Sequence, residues 1–363
     1  MNQIRARVSA LSAAALALGV LAACSSAESS TPKAATKAPA ATPKPDKSEP
    51  LPVTRQPFTI SFGGDVHFEG FLRARLANPS TALGPIASTL RKADLAMVNL
   101  ETAITMGGTP APGKQFKFRA PESALTALKA SGVDVVSMAN NHGMDFMESG
   151  LRDSLKAIKK AKYPVVGIGK DADEAYKPWR TTVKGNRVAI LGATQVLDDH
   201  LIQAWTATDE KGGLASAKNV ERMVEAVKEA RAEADTVIVY LHWGAELQKC
   251  PLPRQPELAK RLIKAGADVI VGGHAHIPLA GGYMNGKYVH YGLGNFVFSS
   301  ANGQTANSGV LTLTLRGGEV LKSSWRPARI SGGLPRLLTG PAAQQELARW
   351  KSLRSCTTLE DAP

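Results

Sequence analysis

Residues 58–67 read FTISFGGDVH, a short β-rich run that ends in two glycines and then in Asp65 and His67. The aromatic and β-branched residues of this run predict a strand, and the glycines allow close approach of the backbone at its end. Residues two apart on an extended segment point the same way, so Asp65 and His67 can face one site together. This stretch therefore predicts a strand that places two polar side chains at its carboxyl end.

The same arrangement recurs along the chain, where further predicted strands end in polar residues. Strands are predicted over 94–100, 133–138, 237–241 and 269–271, and two more over 165–168 and 188–191. The first four are followed by histidine, carboxylate or amide side chains, namely Glu101, Asn141, His142, Asp145, His242, His274 and His276. Five of the seven histidines lie at these strand ends, and only His200 and His290 lie elsewhere.

Segments with helical spacing separate these strands. Apolar residues recur at this spacing over 151–158 and 220–227, and 256–265 reads as a helix with Pro256 in its first turn and Gly266 beyond its end. Alternating strands and helices predict a largely parallel sheet with helices on both faces. In such sheets, ligands bind outside the carboxyl ends of the strands, where the polar residues lie.

After Lys287 the sequence predicts antiparallel strands in place of alternating strands and helices. Strands are predicted over 288–298, 309–315 and 319–325, with a turn over 316–318 and a closing helix over 344–353. The sequence thus indicates one layered α/β domain over 57–335, followed by a C-terminal helix and tail over 336–363.

Imidazole and carboxylate groups are ligands for Zn, Mn and Fe. Each short motif is weak evidence alone, but together they predict a metal site built from Asp65, His67, Glu101, Asn141, His242, His274 and His276. Two alternatives stay open for the acids. Glu101 could be a carboxylate outside the ligand set or on the surface, and Asp145 could cap the helix that begins near it.

The order Asp-x-His, carboxylate, Asn-His, His and His-x-His resembles the calcineurin-like metallophosphoesterases. Over about residues 58–300 the chain is similar in particular to the CapA (poly-gamma-glutamate capsule biosynthesis) family. The most specific segments are VNLETA at 98–103, ANNH at 139–142, LHWG at 241–244 and YGLGNFVF at 291–298. The resemblance implies a layered α/β/β/α metallophosphoesterase-like sandwich with a C-terminal antiparallel β portion.

The resemblance also implies two divalent metal ions (Mn, Fe or Zn) that activate a water toward a phosphoester. Asp65 would bridge the ions, with His67 and His276 completing one and Asn141, His242 and His274 holding the other. His142 would be the general acid at the leaving group, with Asp145 as its orienting partner. Glu101 stands where related phosphatases carry the Asp of Gly-Asp-x-x-Asp, and Asn140 stands where they carry a Gly.

The first 23 residues are typical of a bacterial export signal. Arg5 and Arg7 precede an apolar run over 8–20 that is too short to span a bilayer. The segment LAAC at 21–24 resembles a lipobox, so we expect cleavage before Cys24 and a lipid anchor on it; an ordinary cleaved signal is the alternative. Residues 24–56, rich in Ser, Ala, Thr, Pro and Lys, read as a disordered tether. The expected location is the extracytoplasmic face of the cell membrane.

Cys250 and Cys356 are the two remaining cysteines, and an even pair outside the cytoplasm can form a disulfide. The formal net charge is +13, with scattered lysines and no basic stripe interleaved with aromatic residues. For an exported protein this favours an anionic lipid or envelope polymer over nucleic acid, whereas a merely solvated basic surface is the alternative.

Three functions are compatible with these features. The first is a metal-dependent hydrolase of a phosphoester in an envelope polymer. The second is a non-catalytic factor that binds or anchors an anionic polymer such as poly-gamma-glutamate, beside capsule synthesis or export proteins. A solute-binding lipoprotein would share the signal and tether but would not account for five histidines at strand ends.

Overall fold

The computed structural model describes residues 54–363. The predicted signal peptide over 1–23, the predicted lipidation site Cys24 and the predicted tether up to residue 53 lie outside the described residues. Within 54–363, no helix has both the length and the apolar composition needed to cross a membrane.

The described chain alternates strands with helices in its first two thirds and ends in strands followed by one helix. The strands are, in chain order, β1 (Phe58–Val66), β2 (Leu95–Leu100), β3 (Ala103–Ile104), β4 (Arg119–Ala120), β5 (Val135–Ser137), β6 (Val165–Val166), β7 (Ile168–Gly169), β8 (Trp179–Val183), β9 (Asn186–Thr194), β10 (Gly213–Leu214), β11 (Thr236–His242), β12 (Val269–Gly273), β13 (Gly281–Met284), β14 (Lys287–His290), β15 (Asn295–Val297), β16 (Asn307–Arg316), β17 (Glu319–Ser331) and β18 (Leu334–Leu337). The helices are α1 (Ala87–Leu90), α2 (Ser123–Ala130), α3 (Met147–Ala161), α4 (Ala172–Tyr176), α5 (Ile202–Trp205), α6 (Val220–Glu233), α7 (Arg254–Ala265) and α8 (Gly340–Ser352).

Two mixed sheets form the framework. The first has the order β18-β17-β16-β1-β2-β5-β6, with β15 pairing at the carboxyl end of β1. The second has the order β13-β14-β12-β11-β9-β8. The strands β1, β2, β5 and β6 are parallel in the first sheet, as are β9, β11, β12 and β14 in the second. Each sheet therefore has one edge at which several carboxyl ends meet.

The two sheets pack face to face, and helices cover their outer faces. Side chains such as Phe62 and Met97 of the first sheet pack with Ile190 and Tyr240 of the second in one apolar cluster. Separate clusters lie on the outer faces, one including residues of α2 and α3 and the other residues of α6 and α7. Fully burying one such side chain is worth about 1.5–3 kcal/mol, so three apolar layers stabilise an α/β/β/α sandwich.

The prediction of one sheet covered by helices on both faces is wrong, whereas the four-layer sandwich implied by the resemblance is confirmed. A strand buried on both faces has the same apolar composition whether it packs against a helix or a second sheet. The alternation of elements therefore could not show that the strands divide between two sheets.

The predicted strand over 288–298 is also wrong in its extent. The predicted strand is interrupted between β14 and β15, where Gly294 has a φ of 73°. The strand β14 belongs to the second sheet and runs parallel to β12, while β15 belongs to the first and runs parallel to β1. This segment thus crosses from one sheet to the other, and neither strand is purely antiparallel as predicted.

The helices predicted from periodicity are confirmed as α3, α6 and α7. Gly266 ends α7 in the left-handed region, with a φ of 119°, which is the conformation that a glycine at a helix C-terminus supplies at least cost. The closing helix is confirmed as α8, whose Trp350 packs on Trp325 of β17 and on His290 of β14.

A disulfide joins Cys250, in the loop after β11, to Cys356, just after α8. The two Cα atoms are 5.7 Å apart, and the residues are separated by 106 positions. The bond therefore ties the C-terminal segment to the loop that follows His242.

Cross-linking residues so far apart restricts the unfolded chain, so we expect the paired substitution Cys250→Ser and Cys356→Ser to lower the free energy of unfolding by about 2–4 kcal/mol. Denaturant unfolding of the full chain measures this loss. Thiol titration of the unreduced protein is the check, because two free thiols in the native protein would contradict the disulfide.

Candidate metal centre

The carboxyl ends of five strands, three from the first sheet and two from the second, meet at one edge of the sandwich. In the first sheet Asp65 of β1 pairs with Asn99 of β2, and in the second His242 of β11 pairs with Gly273 of β12. The parallel register thus brings residues far apart in sequence to one level. The site lies where the two sheets open toward this edge.

Asp65 is the central acid of the site and is fully buried. Its Oδ1 accepts a hydrogen bond from Asn99 Nδ2 at 2.9 Å, and its Oδ2 accepts one from the backbone N–H of His274 at 3.1 Å. A Cβ on Gly273 would lie 2.5 Å from Asp65 Oδ1. Only a glycine therefore leaves room for the carboxylate, which links β1 of one sheet to the end of β12 of the other.

Asp65, Glu101 and His242 form one group whose donor atoms all lie within 4.8 Å of one another. Glu101 is fully buried, and its Oε1 lies 3.9 Å from His242 Nε2 but accepts no hydrogen bond from any described residue. Asn141 Oδ1 lies 2.8 Å from the same His242 nitrogen. The suggestion that Glu101 is a surface carboxylate is therefore wrong, because its side chain points into this cluster.

Glu246, His274 and His276 form a second group of the same kind. His276 Nδ1 donates to Asn295 Oδ1 at 2.8 Å, which leaves its Nε2 toward Glu246 Oε1 at 3.9 Å. His274 Nδ1 is buried and has no hydrogen-bond partner among residues 54–363. An imidazole whose other ring N–H is held by a carbonyl oxygen is the arrangement common to metal-binding histidines.

Both histidines of the His-x-His segment have left-handed backbone conformations. The φ angle is 87° at His274 and 56° at His276. Such a conformation costs a non-glycine residue about 1–3 kcal/mol and is found mainly at functional sites. The surrounding contacts thus hold this loop in a strained form that directs both rings inward.

Burial sets the protonation of the cluster. Burial, with Asp65 beside it, raises the pKa of Glu101 well above the usual range of a carboxyl group, and burial also raises the pKa of Asp65. Burial lowers the pKa of His274 to about 3 and that of His242 well below its usual value. The imidazoles of His242 and His274 are therefore neutral at pH 7, which is the form that binds metal ions.

His142 lies beside the cluster with a defined orientation. Its Nδ1–H donates to Asp145 Oδ2 at 2.6 Å, so Nε2 is the nitrogen presented to the site, 3.8 Å from Glu101 Oε1. Asp145 also accepts from Lys114 Nζ and from the backbone N–H of Phe118, each at 2.6 Å. The capping role considered for Asp145 is wrong, because α3 begins at Met147 and Asp145 makes no cap hydrogen bond.

His67 is placed differently from the other predicted ligands. Its ring stacks on Phe118, and its Nδ1 accepts from the backbone N–H of Glu69 at 3.0 Å. Its Nε2 lies 3.3 Å from the backbone nitrogen of Ser299. Within the described residues His67 joins neither group of donor atoms, so its role as a ligand stays a prediction.

Three residues of the site were not predicted from the sequence. Lys114 is buried against Asp145 with a side chain only 5% exposed, Asn295 orients His276, and Glu246 completes the second group. Glu246 lies four residues after His242, and Asn295 lies within the YGLGNFVF segment. The sequence signals for these two residues were a position just after LHWG and a position within YGLGNFVF, whereas Lys114 lies in a loop that carries no such motif.

The donor set fits divalent cations. Two orphaned buried atoms, Glu101 Oε1 and His274 Nδ1, belong to the two groups, and no lysine or arginine of residues 54–363 forms an ion pair with Asp65 or Glu101. Mixed imidazole and carboxylate donors suit Zn, Mn or Fe. The first group would hold an ion with Asn141, and the second would hold one with Asp65 alongside.

The layered α/β/β/α sandwich, with imidazoles and carboxylates at the carboxyl ends of its parallel strands, defines a metallophosphoesterase-like protein. The model of the family described as "Bacterial capsule synthesis protein PGA_cap" matches residues 59–300, which is more than half of the chain. The chain belongs to this family.

Two curated relatives carry related names. The chain is 32% identical over 240 residues to "Capsule biosynthesis protein CapA" of Bacillus anthracis, a match that covers 65% of this chain and 57% of that protein. It is 31% identical over 228 residues to "PGA biosynthesis protein CapA" of Bacillus subtilis (strain 168), covering 62% and 59%. The matches thus span less than two thirds of the length of these relatives.

Solved structures align less closely. A phosphatase from Mycoplasma pneumoniae aligns with a TM-score of 0.48 and 14% identity, covering 80% of this chain and 98% of that one. A hypothetical protein from Thermus thermophilus aligns with a TM-score of 0.48 and 19% identity, covering 75% and 100%. Because these scores are low, the fold class rests on the strand order and layer packing described above.

Glu101 offers a direct test of the centre. Burial raises the pKa of its carboxyl, which forms no ion pair with a lysine or arginine of residues 54–363, so Glu101→Gln should raise the Tm of the metal-free protein by about 2–4 °C. The same variant should lose the rise in Tm that added Mn²⁺ or Zn²⁺ gives the unaltered protein. Differential scanning calorimetry measures both effects.

The matched control is Glu148→Gln, which changes an exposed glutamate paired with Arg152 and should alter neither value. A Glu101→Gln protein that is less stable without metal, or that responds to metal like the control, would contradict the assignment.

The raised pKa of Glu101 also gives metal binding a pH dependence. A cation competes with the proton held by this carboxyl, so affinity should increase with pH by up to about tenfold per unit below the raised pKa. Titration calorimetry with Mn²⁺ at pH 5.5, 6.5 and 7.5 measures the slope. An affinity that falls over this range would contradict the role of Glu101.

Proposed function

We propose that this chain is a metal-dependent phosphoester hydrolase that acts on an anionic envelope polymer or its precursor, in capsule or related polymer synthesis. The observation that carries the proposal is the pair of adjoining donor groups with orphaned buried atoms at Glu101 and His274. Sites that combine such donors with a separately oriented histidine suit hydrolysis of phosphoesters. The family membership and the names of its relatives support the connection with capsule polymers.

Bound divalent ions would polarise phosphoryl oxygens and lower the pKa of an attacking water. The protein's own residues supply the remaining requirements. Asp65, Glu101 and the imidazoles of His242, His274 and His276 would hold the ions in place. Asn141 contributes an uncharged oxygen beside His242.

His142 is the residue suited to handle the proton of the leaving group. Asp145 holds its Nδ1–H, so the ring cannot turn and Nε2 faces the centre. Burial lowers the pKa of His142, and Asp145 opposes that shift. An anionic substrate close to Nε2 would favour the protonated ring, which can then donate its proton to the departing oxygen.

The proposed location is the outer face of the cell membrane, with a lipid on Cys24 and a tether before the folded domain. The signal-like residues and the segment LAAC support this proposal. Capsule synthesis or export proteins would be its neighbours there.

A second candidate function is a non-catalytic accessory factor that binds the polymer during synthesis or export. The observation that favours it is the difference at Glu101, which stands where related phosphatases carry the aspartate of Gly-Asp-x-x-Asp. Metal content together with turnover separates the two functions, since bound metal without turnover of any phosphoester supports the accessory role.

The test of the hydrolase proposal is the double substitution His242→Ala and His274→Ala. Elemental analysis should show loss of bound metal, and kcat/KM for an aryl phosphate or phosphodiester should fall by about 10³-fold or more, because each donor group loses an imidazole. His200→Ala is the control, since His200 is exposed and its ring hydrogen-bonds only the Pro112 carbonyl among the described residues. Turnover that survives in the double variant would overturn the assignment.

A further inference from the structure

The outer face of the first sheet is only partly covered by helices. Where β1, β16 and β17 lie side by side, their outward side chains open into a groove of about 270 Å³. Residues at the end of α1 and just after it, Thr89 and Lys92, form its far wall. The groove lies on the opposite face of these strands from the inter-sheet core and is separate from the metal centre.

Hydroxyl groups form the floor of this groove. The register places Ser61 beside Thr312 and Thr312 beside Ser324, so three hydroxyl side chains lie in one row across the strands. Ser61 Oγ and Thr312 Oγ1 are 2.8 Å apart. A second row begins with Thr59 and Thr314, and the Thr314 hydroxyl adds a group able to donate to an anion.

The rim of the groove is cationic. Lys92, Lys322 and Arg326 are exposed, and none of the side chains that line the groove is acidic. A neighbouring depression of about 400 Å³ shares Thr89 and adds Arg336. None of these four cations forms an ion pair with a carboxylate of residues 54–363.

One carboxylate lies near the end of the groove. Asp94 accepts hydrogen bonds from the N–H and the hydroxyl of Thr59, and it is paired with Lys184 at 2.8 Å. Its charge is thus neutralised by a lysine outside the groove. The four cations therefore keep an uncompensated positive field over a hydroxyl-lined floor.

The cations are too widely spaced to converge on one small anion. Lys322 and Arg326 project from the same side of β17 four residues apart, which is about 13 Å along a strand. Arg336 on β18 and Lys92 beyond α1 extend the positive surface in further directions. The spacing matches repeated charges along an extended chain.

We infer that this groove binds a linear polymer carrying repeated carboxylates, at a place distinct from the metal centre. The choice of a carboxylate polymer rests on the proposed function, whereas the site itself rests on the charge and shape of the groove. The centre would then modify a polymer, or a group attached to it, that the groove holds nearby.

The test is binding of fluorescently labelled polyglutamate to the full chain in detergent at about 50 mM salt, followed by fluorescence anisotropy. Lys322→Glu with Arg326→Glu should weaken binding at least tenfold and reduce its salt dependence. Lys260→Glu with Lys264→Glu is the control, because these exposed lysines on α7 change the net charge equally on the other sheet. Lys92→Glu with Arg336→Glu is a second groove variant, which guards against misfolding of the first.

Equal binding by both groove variants and the control variant would overturn the inference, as would equally strong competition by free glutamate at the same residue concentration. The metal-centre variant His242→Ala/His274→Ala should keep full polymer binding. Loss of binding in that variant alone would place the polymer at the centre and overturn the groove, whereas loss of hydrolysis with retained binding supports both proposals.

Discussion

The structure depends on the burial of two carboxylates, Asp65 and Glu101, that have no lysine or arginine as a partner within residues 54–363. The imidazoles within ion-pair distance of Glu101 are those of His142 and His242, and burial lowers the pKa of both, whereas His276 Nδ1 lies 3.6 Å from Asp65 Oδ2. Keeping a buried carboxylate ionised costs several kcal/mol, and burial accordingly raises the pKa of both carboxyl groups. The fold sustains this cost with fixed donors, such as Asn99 and the backbone of His274, and leaves the remaining lone pairs directed at one small region.

The stacking of the two sheets is what gives this region its shape. One sheet supplies Asp65, Glu101 and Asn141, and the other supplies His242, His274 and His276. The group of Asp65, Glu101 and His242 draws on both sheets, so the apolar layer between the sheets controls the distances within that group. The crossing segment between β14 and β15 joins both sheets directly at the site, because Gly294 accepts from the backbone of Asp65 and Asn295 orients His276.

The strand β1 connects the two sites that we propose. Its carboxyl end carries Asp65, and the outward side chains of its first half contribute Thr59 and Ser61 to the floor of the groove. Strand geometry separates Ser61 from Asp65 by about 13 Å. A hydrolytic centre and a holding surface at this separation are compatible with one extended substrate, and the accessory role would require only the second of them.

The amino-acid sequence was sufficient to predict the strands that carry the site, the main helices and most of the centre. Apolar runs reveal buried strands, and polar residues at their carboxyl ends converge because parallel neighbours end at the same edge of a sheet. Asp65, Glu101, Asn141 and three histidines could be grouped in this way without coordinates. Only the tertiary structure decided that the strands divide between two sheets, that Glu246 and Lys114 join the site, and that the ring of His67 faces backbone amides. Those outcomes could not be predicted from the sequence, because they depend on packing between distant segments and on loop conformation, neither of which local composition determines.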